Sequence, residues 1–206
     1  MGIYDRFILP PLLTVACGSP AVGQQRQKIV PRASGVVLEL GFGSGLNLPF
    51  YDTARVTRLH ALEPSEGMLV RARKLAGSAP FPVEILPETA EALSLPPGSV
   101  DTVVVTYSLC TIPDPHSALG AARRALRSGG RLLFCEHGLA PDPKVRRTQT
   151  RIEPFWKHIA GGCHLCRDIP ALVTDAGFAI ERIETMYLPK MPTWAGFNFW
   201  GEARPA

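Results

Sequence analysis

The residues whose types and spacing most directly imply chemistry are Gly41, Gly43 and Gly45, flanked by two acids, Glu39 just before them and Glu63 about twenty residues further on. Three glycines in five residues at the end of an apolar run let the backbone turn tightly and approach a ligand that side chains would hold off. The spacing is G-x-G-x-G. Leu46 stands where a dinucleotide-binding G-x-G-x-x-G places its third glycine, and no Gly-Lys-Ser/Thr follows as a phosphate-binding loop requires. The loop therefore suits a nucleoside-containing cofactor without a pyrophosphate. Glu63, at the end of the next apolar run, is placed to accept hydrogen bonds from two ribose hydroxyls. Glu39 lies inside an apolar strand, where a carboxylate needs a partner, and a cofactor amine is one.

A second cluster, Cys163-His164-Leu165-Cys166, has a ligand-like look. A structural zinc takes four ligands, and no second pair sits at ribbon or finger spacing, so no metal is expected there. The pair is expected instead to line an acceptor pocket, with Arg167 and Asp168 supplying polar contacts. Trp156, Trp194, Phe197, Phe199 and Trp200 make the last third rich in large rings, which serve as packing or as an apolar acceptor site.

Apolar runs alternate with amphipathic segments, the pattern of strands and helices taking turns around a mostly parallel sheet. Residues 3–31 read as one or two helices, split near Gly18-Ser19-Pro20. Strands are expected at Val36–Leu40, Arg58–Glu63, Val83–Leu86, Val100–Thr106, Arg131–Glu136, 178–187 and 196–203, with a helix directly after the glycine loop. Val100–Thr106, apolar and β-branched, belongs at the centre of the sheet. Further helices follow Ser65, Asp114 and residue 144, and the last ends at Gly177. Ala118, Leu119, Ala122 and Leu126 recur at helical spacing, and Ser128-Gly129-Gly130 closes that helix.

Composition narrows the classes. A chain of 206 residues, 46% hydrophobic and 19% charged, is one ordinary globular domain. A net charge of +4 from 22 basic and 18 acidic residues, with only isolated basic doublets, is too diffuse to track nucleic-acid phosphates. Five cysteines, an odd number, suggest free thiols in a reducing compartment, so a cytoplasmic location is expected. No apolar run approaches the ~20 residues of a spanning helix. Leu13–Cys17 loosely resembles a lipoprotein cleavage site but lacks a net positive leader, and Arg6 stands where myristoylation of Gly2 needs a hydroxyl.

Taken in order, ELGFGSG, Glu63, ETAEALSLPPGSVDTVVV, YSLCTIPDP and ALRSGGRLLF resemble the class I S-adenosylmethionine (SAM)-dependent methyltransferases, especially those related to quinone-biosynthesis and bacterial phospholipid methyltransferases, over roughly residues 35–137. The resemblance implies a doubly wound, Rossmann-like seven-stranded α/β sheet with its last strand antiparallel and helices on both faces. It places Gly41, Gly43 and Gly45 under the methionine and ribose of SAM, Glu39 near its amino group, and Glu63 with Pro64 at the ribose. Relatives carry Asp-Ala-Glu where this chain has Thr89-Ala90-Glu91, so a hydroxyl replaces the carboxylate expected at the adenine amine. Thr106, Tyr107 and Ser108 would flank the sulfonium. The product would be S-adenosylhomocysteine.

Beyond Glu136, the segment EHG, the aromatic stretch with Pro154 and Trp156, and GGCHLCRD are similar to the membrane-anchored alkyl-thiol methyltransferases of animals and their soluble bacterial relatives, as are YDRFILPPL and NLPFY. The hydrophobic anchor of the animal enzymes has no counterpart here, so membrane residence is not expected, although peripheral contact with a membrane is compatible. Methyl transfer is an in-line displacement that needs alignment and exclusion of water more than acid–base machinery. A thiol or hydroxyl acceptor must still lose a proton, and His137 at the end of the fifth strand is the expected base, with Tyr107 beside the reacting atoms.

The expectation is thus one domain: residues 1–34 as a helical cover, 35–137 as the SAM-binding core and 138–206 as the acceptor region, methylating a small apolar acceptor, thiol sulfur favoured. Rivals are a phospholipid or other small-molecule N-, O- or C-methyltransferase, a SAM-binding protein without catalysis, and a nicotinamide-dependent oxidoreductase, which Leu46 opposes.

Overall fold

The protein is represented by a computed structural model, which describes residues 7–206. The start of the expected N-terminal helix, residues 3–6, lies outside the described residues. Seven strands form one sheet: β1 Gly35–Leu40, β2 Val56–Leu62, β3 Val83–Leu86, β4 Val100–Thr106, β5 Leu126–His137, β6 Phe178–Tyr187 and β7 Phe197–Pro205, in the order β3-β2-β1-β4-β5-β7-β6. The first five are parallel, while β7 runs antiparallel to both β5 and β6.

Period-two alternation sends successive residues of each central strand to opposite faces. On one face Leu38, Leu40, Val103, Val105, Leu132 and Phe134 pack in one core with Ala118, Leu119 and Ala122 of α4 (Pro115–Ala125) and Val173 of α6 (Ile169–Asp175). On the other, Val37, Leu59, Ala61, Val104, Leu133 and Cys135 pack with Ile29 of α2 (Pro20–Ile29) and Ala72 of α3 (Glu66–Ala76). β4 is buried along nearly its whole length because both faces are covered.

α1 (Leu9–Cys17) and α2 are separated at Gly18-Ser19-Pro20, as the sequence suggests. Along α2, Val22, Gln25, Arg26 and Ile29 are buried at helical spacing. α5 (Pro143–Ile159) carries Pro154 inside it, and a short α7 (Thr193–Gly196) precedes β7.

Two expectations need correction. No α-helix follows the glycine loop; residues 43–47 are turns leading to a 3-10 turn at Leu48–Phe50. Asn47 turns its side chain inward to Glu39 and Thr106, and Asp52 accepts from the Ala54 N–H at 2.9 Å, so local side-chain bonds replace the helical ladder before β2 begins. β5 starts at Leu126 rather than Arg131, since Leu126 pairs with Val100 across an irregularity in the β4–β5 ladder. Leu126 packs in the core beside α4, which is why its spacing reads as helical.

Candidate active site

Parallel strands bring the ends of β3, β2, β1, β4 and β5 to one edge of the sheet. Thr89-Ala90, Glu63-Pro64, Gly41–Gly45, Thr106-Tyr107 and His137 are thereby gathered from five separate stretches of chain. Ligands in open α/β sheets bind at this carboxyl edge, where the strand order reverses, here between β1 and β4.

The glycine loop rests on its acids. Glu63 accepts from the Gly43 N–H at 2.7 Å and from the Ser65 N–H at 2.8 Å, one bond to each carboxylate oxygen. Burial raises its pKa against the lowering effect of those two N–H groups. At Gly41 (φ 71°) a Cβ would fall 2.3 Å from the Ser108 Oγ, so the ends of β1 and β4 approach as closely as they do only because the side chain is absent. At Gly43 (φ 58°) a Cβ would meet nothing closer than 4.0 Å, which leaves open space against bare backbone.

Glu39 is 1% exposed and accepts from Tyr51 OH at 2.7 Å and from the Asn47 Nδ2 at 2.9 Å. Burial pushes its carboxyl up to about 7, although both hydrogen bonds and the nearby Arg26 favour the charged form. Arg26 donates to the Asn47 Oδ1 at 2.9 Å and to the Cys17 carbonyl at 2.6 Å, so the network extends into the covering helices. Asn47, Tyr51 and Arg26 were given no role from sequence; NLPFY was noted only as a pattern. An acid buried in β1 was the one signal that polar partners had to exist.

Thr106 shares Asn47 with Glu39, through Nδ2 at 3.0 Å. Tyr107 takes a positive φ of 53°, a conformation uncommon outside glycine. Its hydroxyl donates to the Asn198 Oδ1 at 2.5 Å on β7, and Arg26 stands 5.0 Å from its ring centre. The Tyr107 turn presents the Ser108 and Leu109 N–H groups to Glu136 Oε1, at 2.8 and 3.0 Å. Thr89 is exposed at the start of a 3-10 turn, Ala90 is buried against the core, and Pro64 is exposed before α3.

His137 is half-buried and holds its Nε2 3.1 Å from the Cys163 Sγ. Burial opposes a charge on its ring, but the Cys163 sulfur beside it outweighs that and raises the pKa. A hydrogen bond from Cys110 and the neighbouring ring lower the Cys163 thiol, and the Cys110 thiol is raised in turn. The Trp156 Nε1 also donates to Cys163 Sγ, at 3.2 Å.

Cys163 and Cys166 do not share a centre. Cys166 lies near Thr150, and its N–H joins the His164 ring on Glu153, at 2.7 and 3.1 Å. Arg167 and Asp168, expected to offer contacts to an acceptor, are committed elsewhere. Arg167 donates to the carbonyls of Leu109 and Ile112, and Asp168 caps α6 through the Ala171 N–H. Of the aromatic set, Phe197 and Phe199 pack in the core, Trp200 lies under Lys28, and Trp194 packs edge-on against Trp156, which alone of the five bonds to Cys163.

The covering helices complete the edge. The Thr14 Oγ1 of α1 meets the Ser44 Oγ of the glycine loop at 3.2 Å, and Leu9 packs so closely on Gly161 that a Cβ there would lie 2.9 Å from it. A groove of about 400 Å³ along α5, lined by Pro143, Arg146, Arg147, Thr150 and Arg151, includes none of these residues.

Two buried carboxylates, Glu39 and Glu63, and bare loop backbone at Gly43 facing open space thus stand together at the carboxyl edge of the sheet. A methyltransferase-domain family model matches residues 38–134. The chain belongs to the SAM-dependent methyltransferases, whose methyl donor is S-adenosylmethionine. It is similar to the human thiol S-methyltransferase TMT1B, 34% identical over 175 residues, 83% of this chain and 72% of that protein. The rat counterpart is 32% identical over 72% of this chain, which spans 62% of the rat protein's length. Among solved structures, a SAM-dependent methyltransferase from Thermotoga maritima shares the fold with a TM-score of 0.67 at 22% identity, covering 99% of this chain and 98% of its own. No described helix is long and apolar enough to cross a membrane.

Proposed function

We propose that the protein transfers the methyl group of SAM to the sulfur of a small, apolar thiol. The observation that carries this reading is the sulfur-rich end of β5, where His137 stands against Cys163 at the same sheet edge as the glycine loop. The similarity to thiol S-methyltransferases over most of the chain supports it.

Gly41, Gly43 and Gly45 let the backbone pass beneath the methionine and ribose. Glu63 takes the ribose hydroxyls with its remaining lone pairs, while its two backbone bonds hold the loop in place. Glu39 receives the donor's ammonium, with Tyr51 and Asn47 fixing the carboxylate plane. Pro64, Thr89 and Ala90 border the ribose and adenine end, with the Thr89 hydroxyl in place of a carboxylate. Thr106 and the Tyr107 turn border the sulfonium; because the Tyr107 hydroxyl is spent on Asn198, its part is to set the backbone there. His137 meets the acceptor sulfur and helps it shed its proton. Two further tasks fall to the fold: aligning sulfur, methyl carbon and leaving sulfur, and excluding water beneath α1.

The test is turnover with SAM and a panel of alkyl and aryl thiols, amines, phenols and phospholipids. Expected are S-methyl thioether and S-adenosylhomocysteine in equal amounts. Methylation of amines or lipid headgroups alone would overturn the thiol reading, and SAM binding without any turnover would overturn catalysis.

A further inference from the structure

We infer that Cys110, His137 and Cys163 together bind a thiophilic divalent cation, zinc in the first instance, with one coordination position left for the sulfur of the acceptor thiol. The inference rests on the thiol reading above for the occupant of that position, and on geometry alone for the site.

The three donors come from separate segments: Cys110 follows β4, His137 ends β5, and Cys163 follows α5. Their ligand atoms lie within 4.8 Å of one another. Around a tetrahedral zinc, bonds of about 2.3 Å to sulfur and about 2.0 Å to nitrogen place neighbouring ligand atoms roughly 3.5–3.8 Å apart, so modest side-chain adjustment closes the set. Two thiolates and an imidazole form a soft donor set that suits zinc and not magnesium or calcium. Three protein ligands rather than four is the arrangement of catalytic zinc, with the fourth position open. Cys110 and Cys163 are buried, and His137 is half-buried.

The surroundings are built for a cation. Trp156 donates its indole N–H to Cys163 Sγ, the kind of outer bond that orients a thiolate ligand. Glu136, fully buried, ties the Ser108-Leu109 backbone to the end of β5 through Oε1, while its Oε2 has no hydrogen-bond partner among the described residues. A buried carboxylate with a free oxygen between the segments bearing Cys110 and His137 gains from a nearby positive ion. The pairing differs from the C-x-x-C reading of the sequence: Cys163 joins residues more than 25 positions away, and Cys166 is left out.

The chemistry balances simply. Cys110 and Cys163 lose their protons when the metal binds, and the acceptor R–SH releases its own to solvent as its sulfur takes the fourth position. That sulfur's electron pair forms a bond to the donor's methyl carbon. The carbon–sulfonium bond breaks, and its pair stays on the sulfur of S-adenosylhomocysteine. The neutral thioether is a poor ligand and leaves. His137 then assists deprotonation as a ligand through Nε2, the atom that faces Cys163 in the free site.

The experiment titrates the chelator-treated full-length protein with zinc against a chromophoric chelator, and with cobalt(II) as a spectroscopic substitute. Wild type is expected to take up one equivalent. Cys163→Ser, Cys110→Ser and His137→Ala are expected to lose more affinity than the roughly 10–100-fold typical of losing an outer-shell partner, while Cys166→Ser keeps it. The cobalt-loaded wild type, which needs no variant to fold, is expected to show thiolate-to-metal charge transfer and to change its ligand-field bands when an alkyl thiol is added. No uptake, or uptake unaffected by the three substitutions, would overturn the site. The Cys17 thiol of α1 stands near enough to Cys163 to feel its charge, so loss of zinc in Cys17→Ser would mean a closed four-ligand site and overturn the open position. Full thiol methylation by metal-free protein would overturn the metal's part and leave the thiol reading standing. Metal uptake with no thiol methylated by the loaded enzyme would sink the thiol reading and leave the metal site.

Discussion

At the level of single residues, the proposed donor site assigns different tasks to two buried carboxylates, Glu39 and Glu63. Glu63 anchors the glycine loop and, in the proposed donor site, holds the ribose, so Glu63→Ala is expected to weaken SAM binding by about 1.5–3 kcal/mol, the range for hydrogen bonds to a charged group. Calorimetry on the folded variant checks this, and an unchanged dissociation constant would refute the role. Glu39 offers a pH test. Its folded-state pKa of about 7 lies above its ordinary value of 4.5, so the folded protein binds more protons than the unfolded chain in between. The contribution of this group to stability is therefore fully present below pH 4.5 and is lost as pH rises through about 7. The groups facing it are Tyr51, Asn47, Arg26 and Glu63. Because the ionised form is the one proposed to receive an ammonium, SAM affinity is expected to rise between pH 6 and about 7, before an α-amino group, with a pKa of about 7.7–8.0, deprotonates appreciably. Glu39→Gln is expected to flatten that rise. The two acids were visible in sequence because both sit at the ends of apolar runs, where a charge has no reason to be unless something meets it. Asn47 and Tyr51 were not, since a polar residue in a loop carries no mark of pointing inward.

At the level of elements, glycines with the same backbone sign are separated by what stands beside them. Gly41 and Gly129 both have positive φ, at 71° and 76°, but a Cβ at Gly41 strikes Ser108 and one at Gly129 meets nothing within 4 Å. Gly129→Ala is expected to cost about 1–2 kcal/mol, the penalty of the left-handed backbone alone. Gly41→Ala is expected to cost more and to weaken SAM binding as well, which chemical denaturation and calorimetry on the pair would show. Equal losses would mean that the close approach to β4 has no energetic weight. The limits of β3, β4 and β6 match those expected from sequence; β4 is an apolar, β-branched stretch because it is buried on both faces, whereas β3 and β6 are more exposed edge strands. The start of β5 was hidden, as it depends on pairing with Val100 from a distant part of the chain. The helix expected after the glycine loop fails for a related reason: Asn47 is drawn to partners on β1 and β4.

Across the whole molecule, Arg26 joins the covering helices to the sheet edge. It is 5% exposed, bonds to Asn47 and to the Cys17 carbonyl, and stands over the Tyr107 ring. Arg26→Ala is expected to lower stability by about 1.5–3 kcal/mol through the loss of charge-assisted bonds. It is also expected to speed amide exchange in α1 more than in β4, read by hydrogen exchange with mass spectrometry. Uniform acceleration throughout would mean that Arg26 does not tie the cover to the core.

The amino-acid sequence by itself determined the parallel sheet and the glycine loop, since local periodicity and the Gly41-Gly43-Gly45 spacing are properties of neighbouring residues. It also marked the two acids that serve the loop. Only the tertiary structure decided which residues face each other across strands: Cys163 turns from Cys166 to His137 and Cys110, the Tyr107 hydroxyl goes to Asn198, and Arg26 reaches from the cover to the loop. These partners lie tens of residues apart, and no spacing in the chain encodes a meeting that arises only when the strand ends are brought to one edge.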